Sequence, residues 1–303
     1  MPPQGVTWKP HEIMLTFEEI LRICAVMAEL GIRKIKVTGG EPLVRRGVAS
    51  FLKSLKALAG VERVTLTTNG LLLAAFLDEA EALNVSLDGV NISLDALDPE
   101  RFRLITRHEG TGPAEILPLA ARLLEKGIPV KLNCVPIRSF NEEDILPLAA
   151  LARDRDIAVR YIELMPLGSA SALEPISSAE VASLIEKAYG PLVPFSGILG
   201  SGPAVYYSLS GFKGKIGLIN AVSHGFCETC NRLRLTSEGL LKPCLSNDLS
   251  LDLRELVRRG AGDGELSQAI LEAVTKKPRF HNFSEIYGAP PAGHPGGMSA
   301  IGG

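Results

Sequence analysis

The sequence predicts an α/β protein: a parallel sheet with covered faces, followed by a smaller C-terminal region built around cysteines. Three observations predict it. Between residues 15 and 160 a helical stretch followed by a β-branched run recurs five times, the pattern of parallel strands joined by crossover helices. Each run carries hydrogen-bonding or charged residues at its C-terminal end, where a parallel sheet collects its chemistry on one edge. After residue 168 the texture turns to Ser, Ala, Gly and Pro, and three of the five cysteines fall at positions 227, 230 and 244.

The elements follow in order. Thr16-Phe17-Glu18-Glu19 is a capping box opening a helix whose apolar positions Ile20, Ile23, Cys24, Met27 and Leu30 keep the helical period, and Gly31 ends it. A strand, Lys34-Ile35-Lys36-Val37-Thr38, comes next. A helix at 48–58 leads to Arg63-Val64-Thr65-Leu66-Thr67, and one at 72–83 to Gly89-Val90-Asn91-Ile92-Ser93-Leu94. Helices at 115–126 and 142–155 lead to Val130-Lys131-Leu132-Asn133-Cys134-Val135 and Ala158-Val159-Arg160-Tyr161-Ile162. The chain opens on a loop and a helix with no strand before them. Further on, 205–209 and 215–219 read as short antiparallel strands, 253–258 and 265–275 as helices, and 288–303 as a Gly/Pro/Ala tail unable to pack alone. The expected domains are 1–168, 169–287 and the 288–303 tail.

Composition narrows the function. With 46% hydrophobic and 22% charged residues, the 303-residue chain is globular rather than disordered or fibrous. No stretch approaches the roughly 18 apolar residues of a spanning helix, and Met1-Pro2-Pro3-Gln4-Gly5 lacks the layout of a signal peptide, so a cytoplasmic, membrane-free protein is expected. Thirty-two Lys and Arg against 34 Asp and Glu leave a net charge of -2, so no global positive field exists to hold nucleic acid, and anionic ligands must be met locally. The odd cysteine count suits a metal site plus two core thiols, Cys24 and Cys134, rather than a disulfide framework.

Cys227-x-x-Cys230 can bite one metal centre from a turn, and Gly239 with Pro243 lets the chain fold back to bring Cys244. Zinc would want a fourth ligand, with His224 the nearest, whereas a [4Fe-4S] cluster on three thiolates leaves one iron open. Arg232 and Arg234 alternate onto one strand face beside the cysteines and suit a phosphorylated ligand. A structural zinc knuckle and a solvated arginine face are the plainer alternatives. In Thr38-Gly39-Gly40-Glu41-Pro42 the glycines let backbone amides approach a ligand and Glu41 could hold an ammonium group, although a plain turn also accounts for them. Turn formation accounts for Gly and Asn at the other strand ends, but not for Lys131 or Arg160 inside otherwise apolar strands.

Thr38-Gly39-Gly40-Glu41-Pro42 resembles the motif with which radical S-adenosylmethionine enzymes grip the methionine amino group. Nearly the whole chain is similar to the molybdenum cofactor biosynthesis protein A family, the GTP 3',8-cyclases. The likeness runs through Thr67-Thr68-Asn69-Gly70, Asn91-Ile92-Ser93-Leu94-Asp95, Arg160-Tyr161-Ile162-Glu163-Leu164-Met165-Pro166-Leu167-Gly168, Phe226-Cys227-Glu228-Thr229-Cys230-Asn231-Arg232-Leu233-Arg234-Leu235 and Ser299-Ala300-Ile301-Gly302-Gly303. The resemblance implies a partial (β/α)6 barrel with a C-terminal auxiliary-cluster region. It implies that Gly40, Glu41, Thr67, Ser93, Lys131 and Met165 contact S-adenosylmethionine, and that Lys36, Arg160, Arg232 and Arg234 meet GTP. By the same likeness Cys227, Cys230 and Cys244 hold an auxiliary [4Fe-4S] cluster whose open iron binds the purine, and Gly302 and Gly303 reach into the active site. It further implies a flavodoxin or ferredoxin as electron donor, cyclic pyranopterin monophosphate synthase downstream, and a homodimer. The family's Cys-x3-Cys-x2-Cys, which holds the cluster that cleaves S-adenosylmethionine, would fall immediately before Met1 with the first barrel strand. The 303 residues are therefore expected to be a truncated, inactive form, the second [4Fe-4S] cluster belonging to the full-length protein. A non-catalytic paralog that binds GTP and a cluster, or a peptide-modifying radical enzyme, are the alternative readings.

Overall fold

In the computed structural model, residues 10–166, 170, 172–223, 226–246 and 249–280 are described. The elements run α1 (Phe17–Glu29), β1 (Lys34–Val37), α2 (Val48–Lys56), β2 (Arg63–Thr68), α3 (Leu73–Ala82), β3 (Val90–Ser93), α4 (Pro99–Thr106), α5 (Pro113–Glu125), β4 (Val130–Cys134), α6 (Ile145–Asp154), β5 (Ala158–Ile162) and α7 (Ser178–Tyr189). After these come β6 (Val193–Pro194), β7 (Val205–Ser208), β8 (Lys215–Ile219), β9 (Arg234–Leu235), β10 (Leu240–Lys242), β11 (Leu251–Asp252), α8 (Leu253–Arg258) and α9 (Asp263–Thr275).

Two compact units are present. The first comprises 68–74 and 89–226, and so includes both sides of position 168; the second takes the described residues of 2–67, 75–88 and 227–303. In the first unit β3, β4, β5 and β8 pair in parallel, and β7 and β6 continue antiparallel from β8. The reading of 205–209 and 215–219 as short antiparallel strands holds for β7 and β8. In addition β8 is parallel to β5, register Arg160↔Gly217, so the hairpin extends the main sheet. Two helices, α4 and α7, arise where no helix was anticipated. Asp98 caps α4, accepting from the Arg101 N–H with Pro99 in the first turn, and a Ser177/Glu180 capping box opens α7.

Strand alternation gives this sheet two unlike faces. Ile92, Leu132, Val159 and Ile216 form one cross-strand row and Tyr161 pairs with Leu218; all are buried, on the side packed by α5, α6 and α7. The Tyr161 hydroxyl donates 2.6 Å to the Ile145 carbonyl and ties α6 to β5. The opposite face carries the rows Asn91–Lys131–Ala158–Lys215 and Ser93–Asn133–Arg160–Gly217–Tyr206. Here the polar residues accumulate.

In the second unit β1 and β2 pair in parallel, with Lys36 beside Thr65. Its core joins the two ends of the chain: Leu15, Ile23, Val26 and Met27 from the α1 region pack with Leu241, Leu253, Leu266, Ile270 and Ala273. The capping box forms as expected, Thr16 Oγ1 accepting from the Glu19 N–H at 3.2 Å. Polar clasps close the edges, Arg22 on Asp263 and Arg258 on Glu19, both 2.8 Å.

Candidate active site

Arg160 is the centre of the polar face in the first unit. It sits mid-strand on β5 with 5% of its surface exposed. Its Nε donates 2.8 Å to Asn133 Oδ1 and its Nη2 donates 2.8 Å to Asn91 Oδ1. Burial pushes the guanidinium pKa down, against the phenol of Tyr206, which favours the charged form by charge and by hydrogen bonding. Arginine stays protonated in proteins even so. Among the described residues no carboxylate pairs with it, and a buried cation held only by neutral dipoles favours an anionic ligand. Lys131, one row away, donates from Nζ to the Leu199 carbonyl and lies 5.9 Å from the Tyr206 ring centroid. Ser93 ends β3 opposite Asn133, and Met165, half-buried, follows β5.

The turn between β2 and α3 is built by its own side chains. Gly70 N–H donates 3.0 Å to Thr68 Oγ1 and Leu71 N–H donates 3.0 Å to Asn69 Oδ1. Gly70 has φ +82° and a Cβ there would meet Ile116 Cγ2 at 3.0 Å, so this glycine serves conformation and packing. Glu163, beyond β5, is also structural. Burial opposes its ionisation, but hydrogen bonds from the Ser223 hydroxyl and the N–H groups of Ser223, Val222 and Ser178 overcome that and lower its pKa.

The other expected residues lie in the second unit. Lys36 is exposed on β1, Gly40 is exposed after it, and Thr67 is buried at the end of β2. The Glu41 carboxylate accepts 3.1 Å from the Leu43 N–H and caps the short turn Pro42–Val44. Gly39 and Gly40 are absent from the positive-φ glycines, and a Cβ on Gly39 would meet nothing within 4 Å, so the local fold does not itself require glycine at 39.

Cys227 and Cys230 share one turn, closed by Cys230 N–H donating 3.0 Å to the Cys227 carbonyl. Together with Glu228, Lys277, Pro278 and Arg279 they line a cavity of about 430 Å³. Burial raises the Cys230 pKa, but backbone and side-chain hydrogen bonds from Arg232, then the charges of Arg232 and Lys277, outweigh it and the net shift is downward. Lys277 Nζ reaches Cys230 Sγ at 3.5 Å and the Arg232 carbonyl at 2.7 Å. Arg234 is lowered by burial and by Arg232, while Cys230 and Cys244 both support its charge. The expected strand over 231–236 shrinks to Arg234–Leu235, because only these residues find the ladder partners Lys242 and Leu241. Arg232 therefore stands before the strand, beside Cys230.

Three half-buried thiols among guanidinium groups are chemically suited to thiolate ligation of an iron–sulfur centre. Among the described residues, however, no three Cys, His, Asp or Glu side chains are drawn into a metal-holding group. His224, Gly302 and Gly303 lie outside the described residues. Residue-by-residue reading missed the Asn91 and Asn133 amides, Tyr206 and Lys277. The two asparagines were visible as polar residues at alternate strand positions, whereas Tyr206 and Lys277 depend on contacts remote in sequence.

Residues 3–152 match the Radical SAM superfamily model and 157–283 match Molybdenum Cofactor Synthesis C. Relatives named GTP 3',8-cyclase include those of Heliobacterium modesticaldum, 42% identical over all of this chain and 92% of that protein, and Moorella thermoacetica, 41% identical with the same coverage. Streptococcus suis SuiB bound to S-adenosylmethionine has a TM-score of 0.57 at 16% identity, covering 80% of this chain and 57% of that one, a likeness of fold alone. Fold and matches together define an α/β protein of the radical SAM class. Within that class, the chain belongs to the GTP 3',8-cyclase family. Among the described residues no helix is long and apolar enough to cross a membrane.

Proposed function

We propose that the protein converts GTP to (8S)-3',8-cyclo-7,8-dihydroguanosine 5'-triphosphate, the lyase step of molybdenum cofactor biosynthesis, in the cytoplasm. The observation that carries this reading is Arg160, a buried guanidinium held by two neutral amides on the polar sheet face and uncompensated by a carboxylate among the described residues. A polyphosphate supplies the missing charge. Arg232 and Arg234, beside the cysteines of the second unit, and Lys36 on its β1 are the further substrate contacts on this reading. Cys227, Cys230 and Cys244 would hold the auxiliary [4Fe-4S] cluster. Gly40 and Glu41 would meet the methionine end of S-adenosylmethionine, with Thr67, Ser93, Lys131 and Met165 completing its contacts; the open space at Gly39 supports a close ligand approach. S-adenosylmethionine and its cluster, when bound, supply the one-electron chemistry that takes a hydrogen atom from the ribose. The protein's part is to hold the ribose 3' carbon near guanine carbon 8 and to exclude water and stray hydrogen donors. The parallel strands read as part of a (β/α)6 barrel, Gly302 and Gly303 as a tail that enters the site. A flavodoxin or ferredoxin, the downstream synthase and a second copy of the chain are the partners this reading supplies.

The five cysteines contain no Cys-x3-Cys-x2-Cys, so the ligands of the cofactor-cleaving cluster are not among these 303 residues. The test is anaerobic reconstitution with S-adenosylmethionine, dithionite and GTP, read by mass spectrometry. These residues alone are expected to bind GTP and release no 5'-deoxyadenosine. Joined to an N-terminal segment carrying the three cysteines, they are expected to give 5'-deoxyadenosine and the cyclised nucleotide. Silence of the extended protein would favour a GTP-binding paralog.

A further inference from the structure

In the row Ser93–Asn133–Arg160–Gly217–Tyr206, one position has no side chain. A Cβ on Gly217 would stand 2.8 Å from Arg160 Cγ and 2.9 Å from Tyr206 Cε1, closer than real Cβ atoms come. Gly217 is not among the positive-φ glycines, so conformation does not call for it, and glycine inside a strand costs backbone entropy. What it provides is room. The Arg160 stem from β5 and the Tyr206 ring from β7 close over it from either side. Arg160 is thereby flanked by the Asn91 and Asn133 amides from β3 and β4 on one side and, across Gly217, by the Tyr206 ring on the other. The amides engage its Nε and Nη2, and a guanidinium has five N–H donors in a rigid fork, so others remain for a ligand.

We propose that Tyr206, seated over Gly217, is a positioning residue that fixes the Arg160 fork so that its remaining N–H groups are presented to a bound phosphate chain. The proposal rests on the reading of Arg160 as a triphosphate contact. Side-chain freedom lost in advance is not lost again on binding, which is how a fixed fork gains affinity. Neither Tyr206 nor Gly217 touches the ligand on this view; both act through Arg160.

Two readouts on the full chain test it. In protein labelled with 15N-arginine, the Arg160 Nε–H resonance is assigned by its loss in Arg160→Ala and followed in Tyr206→Phe and Gly217→Ala. Both variants are expected to shift it and speed its exchange with water, with the thermal midpoint of Tyr206→Phe close to wild type. By calorimetry Tyr206→Phe is expected to weaken GTP binding about threefold, since the phenol's support of the guanidinium is lost while the ring stays over Gly217, and to have no further effect in an Arg160→Ala background. An unmoved resonance in Tyr206→Phe, or an undiminished effect of Tyr206→Phe once Arg160 is gone, would overturn the proposal. Unchanged GTP affinity in Arg160→Ala would overturn the substrate reading instead, and the resonance then decides on Tyr206 alone.

Discussion

Arg160 and Arg234 are both cations withdrawn from bulk water, the first buried and the second half-buried, yet their supports differ in kind. Arg160 stands inside a parallel ladder, with strands on both sides and two amides meeting it at 2.8 Å. Arg234 stands on a two-residue strand, its charge disfavoured by burial and by Arg232 and only partly supported by Cys230 and Cys244. The first arrangement is fixed by backbone register and needs no ligand to persist. The second is a truce between thiols and guanidinium groups, and a metal centre drawing in the sulfurs would reset it. A site built on strands is thus formed in advance, whereas one built on a cysteine turn is completed by what binds.

The largest expected effect tests that division through metal content. Anaerobic reconstitution should give about four iron atoms per chain if three thiolates hold one cubic cluster. Cys227→Ser or Cys230→Ser should remove nearly all of it while Arg160→Ala leaves it intact. Zinc alone at the site, or iron loss in Arg160→Ala, would break the comparison.

Next in size, Arg160→Ala should weaken GTP binding by about 1.5–3 kcal/mol, roughly ten- to a hundredfold, the range for a charge-assisted hydrogen bond. Arg160→Lys should recover little, since an ammonium cannot bridge two amides and still offer a fork. Arg232→Ala or Arg234→Ala should cost nearer tenfold, because these half-buried side chains compete with more water. Calorimetry that ranked Arg234 above Arg160 would reverse the order of the two arginines.

The smallest effect concerns Asp95, just beyond β3. Burial raises its pKa from 3.8 to about 6, against the Val135 N–H that donates to it at 2.8 Å. A carboxyl whose folded pKa is raised contributes stability that is complete below the unfolded value of 3.8 and is lost as pH climbs through about 6. Asp95→Asn should therefore flatten the stability profile between those limits; the full shift would be worth about 3 kcal/mol, and because Asp95 is only half-buried, solvent screening cuts the wild type's loss relative to the variant to on the order of 1 kcal/mol. Parallel profiles in denaturant titrations at pH 4 and pH 7 would remove Asp95 from the account.

The difference between the two arginines also marks how far the sequence could be read. The five helix-to-strand steps and the Thr16 capping box were legible because period and cap are local signals. Arg160 stood out as a charge inside an apolar run. The start of α4 at Asp98-Pro99 and of α7 at Ser177 had equally local caps, masked by loop-like composition around them. The pairing of β8 with β5 was not legible, since register between strands some 55 residues apart is decided by packing rather than by either segment. With that pairing hidden, so was the place of Gly217, whose value lies in what its two neighbours do.

The union of chain ends in the second unit bears on how the protein is made. Arg22 of the first helix finds Asp263 across a separation of 241 residues, and the apolar stripe Ile23, Val26 and Met27 is covered by Leu266 and Ile270. At translation rates of about 5–20 residues per second, that stripe emerges roughly 10–50 seconds before its cover does. The apolar stripe of α1 is thus shielded only after the segment 241 residues further along has been made, so its burial waits on topology rather than on local structure.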